Sequence, residues 1–125
     1  MRKIEDKLCE IVQECLRGKF TKSFGKSLTR RDRVEYNHER SQVAVLLWNS
    51  AIVRLNTKEK SMIVQSCGYE SNTTKSRLNA FIQQFDSQVG GIYQKNWTWY
   101  QWTREPLTET DKSVEFNGKY EFVVS

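Results

Sequence analysis

The sequence of 125 residues is short of the residue types from which active centres and cross-links are most often built. It has one histidine, His38, and three cysteines, an odd number without a C-x-x-C pair, which argues against a zinc site and a disulfide framework. We therefore expect Cys9, Cys15 and Cys67 to be reduced. A nucleophilic pair would have to use His38, whose charged neighbours predict a solvated side chain. The sequence thus predicts a protein that is not an enzyme, with no catalytic residue, metal or cofactor.

Long apolar runs are also scarce. No run approaches the roughly 20 apolar residues that span a bilayer, and acidic residues interrupt the N-terminal stretch that a signal peptide would need to be apolar. The chain has one proline and six glycines, and 38% of its residues are hydrophobic, as in folded domains. We expect a single cytoplasmic domain with no membrane partner.

Positive charge is concentrated early in the chain. Residues 19–33 carry six cations and one carboxylate, a net charge of +5 that equals the net charge of the whole chain. This basic segment predicts an electrostatic contact with phosphates or a negative partner, or else a solvated connector whose aromatic side chains pack on the core. Its candidate partner residues are Lys19, Lys22, Lys26, Arg30, Arg31 and Arg33. Residues 105–125 have a net charge of −3, which would also suit head-to-tail self-association.

Two stretches have the three-and-four spacing of amphipathic helices. In residues 2–17 the spacing forms one apolar stripe, which could pack on the same domain or on another subunit. Residues 73–86 follow possible N-cap side chains and would pack on a sheet. The first stripe contains Ile4, Leu8, Ile11, Val12, Cys15 and Leu16, and the second contains Leu78, Phe81, Ile82 and Phe85. A further helical segment around residues 20–32 would fit the spacing of Phe20, Phe24 and Leu28.

From Gln42 onward the hydrophobic period changes to two. Residues 43–48 and 51–55 predict a hairpin with Asn49–Ser50 in its turn, and residues 61–66 predict a third strand. Two more strands are predicted over residues 92–95 and 97–102, joined near Asn96. Asn117–Gly118 predicts the type I′ turn of a final hairpin between residues 114–116 and 119–124.

These elements predict an α+β fold. We expect a mainly antiparallel β-sheet of about five to seven strands with one packed helix and an N-terminal amphipathic helix. Residues 1–41 would form a helical and basic extension, and residues 42–125 the α+β core of the same domain.

The start of the second helix is the first part of a candidate ligand site. Its first turn would hold two threonines and a lysine, where unpaired backbone N–H groups and the helix dipole favour an anion. A guanidinium and an amide further along could bind a nucleotide edge. The same side chains could instead cap the helix, stay solvated or bind the backbone. The candidate residues are Thr73, Thr74, Lys75, Arg77 and Asn79; no Walker loop is present.

An aromatic strand forms the second part of this candidate site. Alternation would place Trp97 and Trp99 on one face and Tyr100 and Trp102 on the other. One face has to line the core, and the other, if exposed, could stack nucleotide bases. All four rings are therefore candidate ligand contacts.

The strings Gly-Tyr-Glu-Ser-Asn-Thr-Thr-Lys-Ser-Arg-Leu-Asn and Tyr-Gln-Lys-Asn-Trp-Thr-Trp-Tyr resemble a family of small bacteriophage proteins. The likeness covers about residues 48–102. It points to the Thoeris anti-defence 1 family, whose members are non-catalytic oligomeric sponges that trap cyclic ADP-ribose-type signals and, in some members, cyclic oligonucleotides. The resemblance implies a homo-oligomer in the host cytoplasm that sequesters a nucleotide-derived immune signal. The alternatives are a nucleic-acid-binding phage accessory protein and an inhibitor of a host defence protein.

Overall fold

The computed structural model describes residues 2–68, 70–86, 90–104 and 110–124. These residues form two α-helices and nine β-strands, and every strand pair is antiparallel, which confirms the α+β prediction. In chain order the elements are α1 (Lys3–Leu16), β1 (Phe24–Ser27), β2 (Asp32–Asn37), β3 (Gln42–Leu47), β4 (Ser50–Asn56), β5 (Ser61–Gln65), α2 (Asn72–Phe85), β6 (Gly90–Lys95), β7 (Thr98–Arg104), β8 (Asp111–Glu115) and β9 (Lys119–Val123).

The strands form two sheets. The larger sheet has six strands in the order β1-β2-β3-β4-β5-β9, and the smaller has three in the order β6-β7-β8. Both helices pack on one face of the six-stranded sheet, α1 against β2 and β3 and α2 against β4 and β5, while β6 packs on α2. The core therefore lies between the six-stranded sheet and the helices.

The predicted helices are confirmed to within one residue at each end. All four apolar side chains predicted to pack from the second helix are buried in α2. In α1 the buried apolar side chains are Leu8, Cys9, Val12 and Cys15, with Ile4, Ile11 and Leu16 partly buried. Because α1 contacts α2 and the sheet, its stripe packs on its own chain.

The helical segment allowed around residues 20–32 is wrong. Phe24 begins β1, which pairs with β2 so that Phe24 lies opposite Tyr36. The Phe24 ring centroid is 4.7 Å from that of Phe20 and 5.7 Å from that of Tyr36. The apolar spacing that suited a helix instead serves an aromatic cluster at the sheet edge, and the sheet begins before residue 42.

The predicted final hairpin is also wrong. β8 pairs with β7 in the small sheet, whereas β9 pairs with β5 in the large one, so the chain crosses between sheets at Asn117–Gly118. The Gly118 carbonyl accepts a 2.9 Å hydrogen bond from the Ser66 N–H, and Phe122 of β9 is buried. Pairing of β9 with the edge of β5, together with burial of Phe122, is therefore favoured over the local hairpin that Asn-Gly would otherwise form.

Two tight turns hold a tryptophan in the left-handed backbone region. In the β3–β4 turn the φ angles are +51° at Trp48 and +66° at Asn49, and in the β6–β7 turn they are +52° at Asn96 and +67° at Trp97. Positive φ at both central residues is the type I′ pattern, which disfavours bulky side chains by about 1–2 kcal/mol. The β3–β4 turn therefore uses Trp48–Asn49 rather than the predicted Asn49–Ser50.

We expect Trp97→Gly to raise the free energy of unfolding by about 0.5–1 kcal/mol, because glycine relieves the left-handed strain. The Trp97 side chain is 93% exposed, so its removal sacrifices little buried area. Urea denaturation followed by circular dichroism measures the effect. Trp97→Ala keeps a β-carbon in the strained position and should change stability by less than about 0.5 kcal/mol. An equal gain in both variants would argue against backbone strain as the cause.

Candidate functional site

A groove with a volume of about 520 Å³ lies where two turns of the large sheet meet the start of α2. The Trp48 N–H donates a 2.8 Å hydrogen bond to the Arg31 carbonyl, which joins the β3–β4 turn to the β1–β2 turn. An indole that is 61% exposed and a guanidinium therefore lie beside the helix start. We call this the α2 groove; its lining residues are Arg31, Leu47, Trp48, Ile52, Gly68, Glu70, Ser71, Thr73 and Thr74.

The first turn of α2 forms one wall of the α2 groove. Ser71 is the N-cap: its Oγ accepts a 3.2 Å hydrogen bond from the Thr74 N–H, and its carbonyl accepts one from the Lys75 N–H. Thr74 is buried, whereas Thr73 is half-buried in the groove. The N–H groups of Asn72 and Thr73 have no acceptor within the helix, as at any helix start. This wall therefore suits a negatively charged group.

The charged side chains of the α2 groove have opposite signs. The Arg31 side chain is 43% exposed, and its Nε lies 3.8 Å from Asp32 Oδ2. Glu70 is exposed and directly precedes the N-cap Ser71, so its carboxylate belongs to the same wall as the start of α2. An anion at the α2 start would be attracted by Arg31 and by the free backbone N–H groups, and repelled by the Glu70 carboxylate.

Arg77, predicted as a ligand contact, lies instead in a buried ion cluster. Its Nε and Nη2 donate to Asp32 at 3.0 and 3.3 Å, and its Nη1 donates to Glu5 Oε2 at 2.8 Å. The Ser76 hydroxyl donates a further 2.7 Å bond to the same Glu5 oxygen. The Arg77 side chain is 1% exposed and cannot reach a ligand in the groove. We call this set the Glu5–Arg77–Asp32 cluster; it joins α1, β2 and α2.

The pKa values in this cluster are shifted towards the charged forms. Burial acts to raise the pKa of Glu5, but hydrogen bonds from Ser76 and Arg77 outweigh it and leave that pKa below its ordinary value. Burial likewise acts to lower the pKa of Arg77, and the bonds to Asp32 and Glu5 raise it overall. The stabilisation that comes from ionised Glu5 is therefore present at neutral pH and is lost as the pH falls through the lowered pKa.

Asn79, the second predicted edge-binding residue, is also structural. Its Nδ2 donates to the Ile92 carbonyl at 2.9 Å, and its Oδ1 accepts from the Ile92 N–H at 2.7 Å. A β-carbon at the neighbouring Gly91 would lie 3.1 Å from Asn79 Oδ1 and 3.3 Å from Trp102 Nε1, closer than side chains ordinarily approach. The amide thus attaches β6 to α2.

The four predicted stacking rings do not form one platform. Trp97 is in the turn before β7, which breaks the expected alternation and leaves it exposed, while Trp99 is 3% exposed in the core. The Tyr100 ring stacks on Tyr93 across the strand pair, with centroids 5.4 Å apart. Trp102 is half-buried beside Gly91. These rings and Lys75 are not among the residues that line the α2 groove.

The structure brings together parts of two predicted sites that are distant in the sequence. Thr73 and Thr74 of the expected ligand site meet Arg31, which was assigned to the basic segment. The aromatic member, Trp48, was not predicted as a ligand contact. The sequence feature that could have identified it is its position next to Asn49 at a hairpin turn. A tryptophan at such a turn is either exposed to solvent or covered by a partner.

Among the residues that the structure describes, some cations of the basic segment form ion pairs with nearby carboxylates, and others do not. Lys19 pairs with Glu14, and Arg33 Nε lies 3.2 Å from Glu35 Oε1. The other cations of the segment besides Arg31 are exposed and form no ion pair within the described part of the chain: Lys22, Lys26 and Arg30.

The cysteines and acidic residues offer no further centre among the described residues. No group of three or more His, Cys, Asp and Glu side chains there is arranged to hold a metal ion. All three cysteines are free, and burial raises the pKa of Cys9 to about 12 and that of Cys15 to about 11. None of the described helices is both long and apolar enough to cross a membrane.

A family model described as Kyanoviridae Gp96 protein matches residues 1–123, so the chain belongs to this bacteriophage protein family. The match includes the first forty residues and the acidic tail, which the resemblance seen in the sequence did not cover. No curated protein and no solved structure matches the chain.

Proposed function

We propose that this member of the Kyanoviridae Gp96 family binds and sequesters a nucleotide-derived ligand in the α2 groove, without converting it. The observation that carries the proposal is the meeting of Trp48, Arg31 and the first turn of α2 around one groove. In the host cytoplasm such a protein would act in counter-defence by withdrawing an immune signal. The ligand classes proposed are cyclic ADP-ribose-type molecules and cyclic oligonucleotides.

The groove has a separate element for each part of a nucleotide. Backbone N–H groups at a helix start favour a phosphate, and Arg31 adds a charge-assisted donor. The exposed Trp48 ring offers a face for a base, a contact that contributes about 1–3 kcal/mol per stacked base. The Thr73 hydroxyl can donate to a phosphate or ribose oxygen.

The lining supports binding without turnover. Its ionisable side chains are Arg31 and Glu70, its described lining residues include no histidine or cysteine, and the Ser71 hydroxyl next to Glu70 is bonded as the N-cap of α2. The proposal therefore contains no chemical step, and a ligand recovered after denaturing the complex should be intact by mass spectrometry. Recovery of a converted product would contradict sequestration.

Isothermal titration calorimetry against cyclic ADP-ribose isomers and cyclic oligonucleotides tests the proposal. We expect submicromolar binding of at least one compound, and a loss of about tenfold or more in Trp48→Ala and in Arg31→Gln. Trp97→Ala and Arg40→Gln are matched controls, because both side chains are exposed and lie outside the groove lining, and they should bind as the wild type does. Micromolar or weaker binding throughout the panel would reject the proposal.

The exposed cations of the basic segment favour nucleic-acid binding as a second candidate function. Lys22, Lys26 and Arg30 lie on or next to the edge strand β1 and are open to phosphates. This function predicts that affinity for DNA or RNA falls steeply with salt concentration. A mobility-shift titration at several salt concentrations separates the two functions, since the absence of a shift at low salt leaves only the first.

A further inference from the structure

The six-stranded sheet has an open outer face, opposite the helices. The helix contacts are all made from the other side of the sheet, through inward-facing residues such as Met62 and Val64 of β5. The outer face carries apolar side chains among polar and charged ones. Its apolar residues are the half-exposed Ala44, Leu46, Ala51 and Ile63 and the 68% exposed Val123.

Two opposite charges flank β5, the strand next to the β9 edge of this face. Arg54 of β4 lies opposite Ile63 of β5, and Ile63 lies opposite Glu121 of β9, so the three form one row across the strands. Neighbouring strands are about 4.8 Å apart, which places the Arg54 and Glu121 backbones about 10 Å from each other. Both side chains are exposed, and within the described residues neither forms an ion pair.

We propose that a second copy of this chain docks on the outer face and forms a symmetric dimer whose two-fold axis runs along β5. Such an axis lays β5 over the second copy's β5, and β4 over the second copy's β9. Arg54 then faces the second copy's Glu121, and Glu121 faces the second copy's Arg54. Ile63 packs against its own symmetry mate, and the sheets lie about 10 Å apart, as in aligned sheet packing.

The row of charges selects this arrangement over two others. An axis perpendicular to the strands would place Arg54 on the second copy's Arg54, which is repulsive. An axis along β3 would pair Arg54 with the second copy's Glu35, but Glu35 already binds Arg33 in its own chain at 3.2 Å. That axis would also leave Val123 uncovered. The β5 axis pairs both unpaired charges and covers Ile63 and Val123, while Ala44 and Leu46 of β3 lie beyond the three overlapping strands.

The dimer surface is independent of the proposed ligand site. The α2 groove is lined by Leu47 and Ile52, which point to the helix side of the sheet, so the groove and the dimer surface lie on opposite faces. Loss of dimerisation therefore leaves the ligand proposal standing, and failure of ligand binding leaves this one standing.

Sedimentation velocity on the full chain tests the dimer with charge reversals. We expect the wild type to dimerise and Arg54→Glu or Glu121→Arg each to weaken the dimer by about tenfold or more, since each change creates two like-charge contacts. An equimolar mixture of the two variants should form heterodimers, because every contact then joins Glu to Arg. The double variant R54E/E121R should dimerise alone for the same reason.

Two controls make the result specific to this surface. Lys58→Glu makes the same charge change as Arg54→Glu, but in the β4–β5 turn, and Glu35→Arg reverses the charge used by the β3 axis; both should dimerise as the wild type does. A monomeric wild type, or a dimer indifferent to both reversals, would overturn the proposal. So would a mixture of the two single variants that stays monomeric, or a loss with Glu35→Arg but not with Glu121→Arg.

Discussion

Replacing Arg77 with methionine is expected to lower the free energy of unfolding by about 3–5 kcal/mol. The change removes the guanidinium that binds both Glu5 and Asp32. The two carboxylates, each 1% exposed, are then left in the core as neighbouring negative charges. Methionine has about the volume of the lost side chain, so the effect would come from unpaired charge and not from a cavity. Urea denaturation at neutral pH measures it.

Two comparisons separate this ionic effect from other causes. Lys75→Met removes a cation from the same helix outside the cluster and should change stability by less than about 0.5 kcal/mol. Neutralising all three members together, as Glu5→Gln, Asp32→Asn and Arg77→Met, should recover part of the loss because no buried charge then remains unpaired. A triple variant no more stable than Arg77→Met alone would contradict this explanation.

Replacing Asn79 with alanine is expected to lower the free energy of unfolding by about 2–3 kcal/mol. The amide satisfies both the N–H and the carbonyl of Ile92, a residue that is 4% exposed, and alanine would leave both groups without a partner. Because β6 is held to α2 through this contact, hydrogen exchange should increase first in the small sheet. Denaturation and exchange measured on the same variant test both statements.

Asn79→Asp is the informative comparison. Aspartate keeps an acceptor for the Ile92 N–H but replaces the donor to the Ile92 carbonyl with an oxygen that repels it. We expect a loss of the same order as in Asn79→Ala, whereas Gln83→Ala on the exposed side of α2 should have little effect. A wild-type stability in Asn79→Asp would show that only the acceptor matters.

The sequence was sufficient to predict those elements whose structure depends on residues close together in the chain. Both helices were predicted to within one residue at each end because their apolar spacing is local, and strands β3 to β5 because alternation is local as well. Local reasoning failed where a distant partner decided the outcome. Asn117–Gly118 has the composition of a hairpin turn, yet the edge of β5 captures the following strand.

The site residues divide in the same way. The anion-suited start of α2 could be predicted from an N-cap and two threonines. The buried position of Arg77 could also have been predicted, because Arg77 lies on the same side of α2 as Leu78 and Phe81. The same holds for its two partners. Asp32 alternates with Val34 in β2, and Glu5 precedes Leu8 by three residues in α1. Each of these three charged side chains shares the buried face of its helix or strand, and a buried charge needs an oppositely charged partner.

The sequence by itself determined where α2 begins, with an N-cap and two threonines in its first turn, as well as the excess of basic charge and the scarcity of histidine and cysteine. The tertiary structure decided which cation and which ring meet that helix start. Arg77 lies 72 residues from Glu5 and 45 from Asp32, and its contacts with them keep it out of the proposed ligand site. Arg31 and Trp48 take the places expected of Arg77 and the β7 rings, because the β2–β3 pairing brings their turns together and α2 packs on the same sheet.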